Sequence, residues 1–158
     1  MQVPSAVWMK MTFATSLKGL REEKNIRIKE NSGSRRATRH KKVVNITGDG
    51  AFAMTCQELE TALRYGLHPV TVVLDDKAWG MIKAGQVGLY NNPAGVDLSD
   101  IDYAEIAKGF GAYGEKVQNP ADIGPALERA FASGRPAVIE IPVSFTPHPV
   151  FFLTSVVL

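Results

Sequence analysis

Two stretches lie one helix apart and end in the same way: V-V-N-I-T-G-D-G-A-F-A-M, residues 43–54, and V-V-L-D-D-K-A-W-G-M, residues 72–81. Each is an apolar, β-branched run that stops abruptly at carboxylates and glycines. Val70 to Leu74 shows no polar alternation, the mark of a strand buried on both faces, and such strands belong to parallel sheets covered by helices. A turn-to-helix signal between the runs completes a strand–helix–strand unit. This pattern restricts the chain to α/β folds.

The rest of the sequence extends that unit. Val43 to Thr47 is a short strand closed by Gly48-Asp49-Gly50. Thr55-Cys56-Gln57-Glu58 has the spacing of a capping box and predicts a helix starting there. Met54, Leu59, Ala62 and Leu63 lie on one side of it, and Gly66 is its left-handed stop. A short helical piece over Ala78 to Ala84 follows the second strand, then a loop containing Asn91-Asn92-Pro93-Ala94-Gly95. Asp102 caps a helix whose Tyr103, Ile106, Ala107 and Phe110 fall on one face before Gly111. Tyr113 to Val117 reads as a strand. A helix from near Pro120 presents Ile123, Ala126, Leu127, Ala130 and Phe131, and Ala137 to Val143 is the last strand. The order predicts an α/β domain with an open, mostly parallel sheet, helices on both faces and right-handed crossovers.

At 158 residues the chain has the size of one domain, able to bury roughly two-thirds of the surface its unfolded form exposes. Its net charge of +2 hides a split: residues 1–42 hold 11 Lys/Arg against 3 Asp/Glu, and residues 43–158 hold 7 against 13. Residues 1–40 are therefore read as a basic leader, partly disordered, with a short helix at most and a linker around Asn31 to Thr38. Residues 41–145 form the α/β domain, and residues 146–158 an apolar tail. No recognition motif accompanies the basic charge, so nucleic-acid binding is not expected. No apolar run approaches the ~20 residues of a membrane span. The single cysteine, Cys56, offers neither a disulfide nor a zinc cluster and fits a reducing, cytoplasmic compartment.

In an open parallel sheet, ligands bind beyond the carboxyl ends of the strands. Asp49 and Asp76 each stand at such an end, 27 residues apart. If the two strands are neighbours, both carboxylates reach one small volume, where a divalent cation relieves their repulsion. An oxygen-only set without His or Cys points to Mg²⁺ or Ca²⁺. Mg²⁺ completes its octahedron with phosphate oxygens and water, and Gly48 and Gly50 allow backbone to approach phosphates closely.

At these residues the sequence resembles the thiamine diphosphate (ThDP) enzymes, in particular the cofactor-binding domain of acetolactate synthase-like decarboxylases and carboligases. The family signature begins with G-D-G and ends near a pair of asparagines about 27 residues on, after a strand. Here T-G-D-G-A-F-A-M-T-C-Q-E-L-E-T-A-L-R-Y-G and V-V-L-D-D-K-A-W-G-M-I-K match its spacing over about residues 41–145. The resemblance implies that Asp49, Asp76 and the backbone carbonyl of Ala78 bind Mg²⁺. It also implies that Gly48, Gly50 and Ala51 lie against the diphosphate, with Gly80 and Met81 near the same cofactor. Trp79, Ile82 and Gln86 would face the substrate.

Three departures accompany the resemblance. The asparagine pair is Asp75-Asp76, which adds a negative charge beside a diphosphate. The family's glycine-rich stretch, apolar cofactor prop and supporting helix have no counterpart in E-E-K-N-I-R-I-K-E-N-S-G-S-R-R-A. The fold is thus expected to be incomplete on its N-terminal side, with one sheet face partly uncovered and cofactor affinity weakened. The family's activating glutamate lies on a different, pyrimidine-binding domain. The resemblance therefore implies half an enzyme acting on a small 2-oxo acid, inactive as an isolated chain and completed by a homo- or hetero-oligomeric partner. A non-catalytic fragment that keeps the fold, or another Mg²⁺-dependent phosphate-binding α/β protein, are the alternatives.

Overall fold

The computed structural model describes the backbone of residues 27–30 and the whole of residues 42–145. Five strands, all parallel, form one sheet: β1 (Arg27–Glu30), β2 (Val43–Gly48), β3 (Val70–Asp75), β4 (Tyr113–Lys116) and β5 (Ala137–Pro142), in the spatial order β1-β2-β3-β5-β4. Among the described residues the helices are α1 (Asp49–Ala53), α2 (Glu58–Arg64), α3 (Gly80–Tyr90), α4 (Tyr103–Gly109) and α5 (Ile123–Ala132), with a 3₁₀ turn at Pro120–Asp122.

The connections from β2 to β3 and from β3 onward advance across the sheet, and the one from β4 to β5 returns. Right-handed crossovers place advancing and returning helices on opposite faces. One face carries α5, whose Ile123, Ala126, Leu127 and Ala130 pack on Val44, Val70, Val72, Ile139 and Ile141. The other carries α1, α2 and α4, whose Phe52, Leu59, Tyr103 and Ala107 pack on Val73 and Val138. Alternate residues of β3 and β5 serve the two clusters, which is why neither strand shows a polar face. Coverage thins toward β2, where Asn45 and Ile46 are only half-buried.

Among the described residues, one charged side chain lies wholly inside. Glu140 of β5 is 0% exposed; its Oε2 accepts from the amides of Tyr103 (2.7 Å) and Ala104 (3.1 Å), and its Oε1 lies 2.5 Å from Lys116 Nζ. The carboxylate thus meets the positive end of α4 and a lysine on the neighbouring strand, which offsets the cost of burying it.

Four sequence expectations differ from the structure. Arg27–Glu30, read as part of a basic leader holding a short helix at most, is an edge strand paired with β2. The rest of residues 1–40 and the tail from residue 146 lie outside the described residues. The capping box at Thr55 is not formed: the chain is already helical from Asp49, and Thr55 Oγ1 donates back to Ala51 O at 3.1 Å. Helix α2 begins only at Glu58, so Met54 is 61% exposed instead of packed. The helix expected over Ala78 to Ala84 runs instead from Gly80 to Tyr90, stopped by Asn91 in the left-handed region at φ 50°. Phe110, placed on the buried face of α4, forms its C-cap and is partly exposed. The stops at Gly66 and Gly111 and the Asp102 cap, which accepts from the Glu105 amide at 2.8 Å, are as the sequence predicts.

Glycine fixes how closely α4 approaches the sheet. A methyl group on Gly114 would lie 1.9 Å from the backbone carbonyl oxygen of Ala104, which cannot rotate away. Gly114→Ala should therefore lower the urea midpoint, the unfolding free energy falling by an amount at the upper end of about 1–3 kcal/mol. Gly124→Ala, in α5 with open space around it, should be neutral or stabilising by up to about 1 kcal/mol. Equal midpoints for the two variants would refute this account of α4.

Candidate functional site

The register of β2 against β3 places Gly48 opposite Leu74, so the next residues, Asp49 and Asp75, emerge side by side at the carboxyl end of the sheet. Both are 3% exposed. Asp49 Oδ1 accepts from the Gly50 amide (2.7 Å) and Oδ2 from the Ala78 amide (3.2 Å), which ties the end of β2 to the turn after β3. Asp75 Oδ1 accepts from the Lys77 amide at 3.1 Å. Its Oδ2 is buried with no donor directed at it among the described residues, and its carboxyl faces that of Asp49.

Two ionised carboxylates about 4 Å apart at an effective dielectric near 20 repel by about 4 kcal/mol. A charged hydrogen bond returns only about 1.5–3 kcal/mol. Asp49 has two amide donors and Asp75 one, so the imbalance falls on Asp75. Burial first, and the facing Asp49 second, raise its pKa above the ordinary value of 3.8, while the Lys77 amide and the Lys116 charge act in the opposite direction. Beneath the pair, Tyr103 packs edge-on against Phe52 with ring centroids 5.7 Å apart. Its hydroxyl is buried without a partner among the described residues, and burial together with Asp49, Asp75 and Glu140 pushes its pKa up to about 12.

Of the residues singled out by sequence, Gly50 and Ala78 meet this pair directly, through their amides on Asp49. Gly48 is exposed, and among the described residues nothing lies within 4 Å of where a side chain would begin, so its backbone borders open space there. Gly50 serves a different contact: a methyl on it would lie 2.8 Å from two ring carbons of Trp79. Ala51 is half-buried on α1. Asp76 is half-buried and turned toward the start of α3, where a methyl on Gly80 would meet its Oδ2 at 2.5 Å. Ala78 is buried. It stands opposite Asp97 in an antiparallel bridge, with the Trp79 amide donating to Val96 O and the Leu98 amide to Lys77 O, each at 2.8 Å. Backbone groups of adjacent extended residues point to opposite edges. The N–H and carbonyl of Ala78 consequently lie on the Asp49 side. Met81 and Ile82 are exposed, and Gln86 Oε1 accepts from the Ala94 amide at 2.8 Å.

Among the described residues, no three or more Asp, Glu, His or Cys side chains form a cage for a metal ion. The donors that do converge are two facing carboxylates and a backbone edge, open toward Gly48. Of these, Asp49 and the Ala78 edge, together with Asp76 at the start of α3, are an oxygen-only set that suits a hard cation drawing its remaining oxygens from phosphate and water, as Mg²⁺ does. The Asp49–Asp75 contact was not foreseen from sequence. The signal that could have found it is the strand register, since Asp75 follows Leu74 as Asp49 follows Gly48.

The sign of a pH effect follows from Asp75. A carboxyl that holds its proton more tightly in the folded chain than in the unfolded one stabilises the fold in acid. That contribution is lost as pH rises from about 3.8 through the raised folded value. In a chelator-treated sample, Asp75→Asn should raise the thermal midpoint at pH 7 and leave it nearly unchanged at about pH 4. A gain of the same size at every pH would remove Asp75 as its cause.

Comparison with known proteins identifies the family and agrees with the fold. The family described as "Thiamine pyrophosphate enzyme, C-terminal TPP binding domain" matches residues 31–141. Acetolactate synthase of Bacillus subtilis (strain 168) is 34% identical over 107 residues, covering 68% of this chain and 19% of the relative. Indole-3-pyruvate decarboxylase of Azospirillum brasilense is 36% identical over 101 residues, covering 63% and 18%. The crystal structure of benzoylformate decarboxylase from Polynucleobacter necessarius superimposes with a TM-score of 0.64 at 26% identity, over 69% of this chain and 21% of that one. The chain thus spans about a fifth of the length of the relatives it matches. By the extent of the family match and the agreement in fold, the chain belongs to the thiamine pyrophosphate enzymes, as their C-terminal TPP-binding domain.

Proposed function

We propose that this chain binds thiamine diphosphate together with Mg²⁺ and supplies the diphosphate half of an acetolactate synthase-like 2-oxo-acid decarboxylase or carboligase. The observation that carries the reading is Asp49, held by two amides at the end of β2 and faced by the backbone edge of Ala78. Asp49, Asp76 and the Ala78 carbonyl would hold the cation. Gly48, Gly50 and Ala51 would border the diphosphate, with Gly80 and Met81 at the other side. When bound, the cofactor supplies the carbanion chemistry. The chain's own residues anchor its diphosphate end and exclude water beneath it, through the buried floor of Phe52, Asp75 and Tyr103.

A second domain or chain, carrying the activating glutamate and gripping the pyrimidine end, would complete the site. The surface of α3 supports this part of the reading. Met81 (76% exposed), Ile82, Leu89 and Tyr90 (72% exposed) continue outward from Gly80, so the more apolar side of this helix faces away from the core. Exposed apolar area of this kind beside a ligand site marks a surface that another protein surface covers. A small 2-oxo acid, the class named by indole-3-pyruvate decarboxylase among the relatives, is the proposed substrate of the completed enzyme. Among the described residues no helix is long and apolar enough to cross a membrane. A cytoplasmic location is proposed on the single cysteine.

Calorimetric titration with thiamine diphosphate, with and without Mg²⁺, should give saturable binding only when the metal is present. Asp49→Ala should abolish it in a chain that keeps its circular dichroism, and Asp76→Asn, which retains an oxygen ligand, should preserve it within about tenfold. Binding that survives Asp49→Ala would sink the site assignment. In sedimentation equilibrium, Leu89→Lys should weaken self-association if the partner is a second copy; an unchanged association constant would move the partner contact off α3.

A further inference from the structure

Residues 94–100 cross the start of α3 and are tied to it along their length. Besides the Ala78–Asp97 bridge and its two 2.8 Å backbone bonds, Lys77 Nζ lies 2.6 Å from Asp100 Oδ1 and Lys83 Nζ 2.6 Å from Asp97 Oδ1. The Ala94 amide donates to Gln86 at the far end. Both lysines belong to the segment that carries Ala78 or follows it, and both acids belong to the strap.

Lys77 is where the strap meets the site. Its φ of 55° puts a side-chain-bearing residue in the left-handed region, which is uncommon outside glycine. Two bonds hold it there: its amide donates to Asp75 Oδ1, and its carbonyl accepts from the Leu98 amide. That turn decides which way the next residue faces. With the Lys77 carbonyl and the Trp79 amide committed to the strap, the Ala78 amide reaches Asp49 Oδ2 and the Ala78 carbonyl lies on the same edge.

We propose that the strap of residues 96–100 is a positioning element for the cation site, and that Lys77 is the positioning residue through which it aims the Ala78 carbonyl at the metal. The inference rests on the reading of Asp49 and Ala78 as metal ligands. It adds a role for residues that touch neither metal nor cofactor. The two ion pairs are half-exposed and contribute little to stability. Their effect is on aim.

The test uses Mn²⁺ as the probe, titrated into the full chain with thiamine diphosphate and followed by electron paramagnetic resonance. Leu98→Pro deletes the amide that holds the Lys77 carbonyl. It should weaken Mn²⁺ binding by about tenfold, the range found when groups supporting a metal ligand are removed. Lys77→Gly, which relieves the left-handed backbone and cuts the ion pair, should keep or raise the thermal midpoint and still weaken Mn²⁺ by several-fold. A merely structural role predicts no such split between midpoint and affinity. Unchanged Mn²⁺ affinity in both variants, with faster hydrogen exchange at the Trp79 amide reporting a loosened strap, would overturn the proposal alone. Failure of the unaltered chain to bind Mn²⁺ would overturn the metal reading and the proposal together.

Discussion

The structure depends on the register of β2 against β3. Because Gly48 pairs with Leu74, the two strands end level, and Asp49 and Asp75 meet under the first turns of the helices that follow. A shift of one residue would send the Val70, Val72 and Leu74 set to the opposite face, so the hydrophobic cores on both sides of the sheet lock the pairing. The geometry of the site is in this sense a by-product of core packing. Burying apolar side chains such as Val44, Val72 and Val73 contributes about 1.5–3 kcal/mol each, enough together to hold two like charges in contact.

That cost is answered by backbone. Three amides, from Gly50, Lys77 and Ala78, point at the two carboxylates, and one acceptor atom, Asp75 Oδ2, is left over. Glu140 is handled in the same manner deeper in the sheet, by the amides that open α4 and by Lys116. The contrast between the two is informative. Glu140 has a cation beside it, as expected of a carboxylate with a purely structural task. Among the described residues no cation is paired directly with Asp49 or Asp75, Lys116 acting on Asp75 only through its charge, and no described atom lies within 4 Å of where a side chain on Gly48 would begin.

Much of this was legible before any coordinates. The lack of alternation in β3, the Asp102 cap and the stops at Gly66 and Gly111 are local signals, and each acts over a few residues. The glycines of the site were legible as glycines, though their reasons were not. Gly50 makes room for the Trp79 ring and Gly80 for the Asp76 carboxylate, contacts between segments about 30 and 4 residues apart in the chain. Strand β1 left no trace in its own sequence: Arg-Ile-Lys-Glu has one apolar residue among charges, and its strand state comes from pairing with the edge of β2. The capping box misled for the opposite reason, because a helix already begun at Asp49 left Thr55 no extended position to occupy.

The sequence by itself determined the class of fold, the order of its elements and the kind of chemistry at the strand ends, since hydrophobic periodicity and the spacing of G-D-G from Asp75-Asp76 are properties of the chain alone. It also determined the family. Tertiary structure decided which carboxylate Asp49 would face, which edge of Ala78 would turn toward it, and how residues 96–100 would brace that turn. These depend on strand register and on a bridge between segments about 20 residues apart. No local propensity encodes such contacts, because each partner adopts its conformation only when the other is in place.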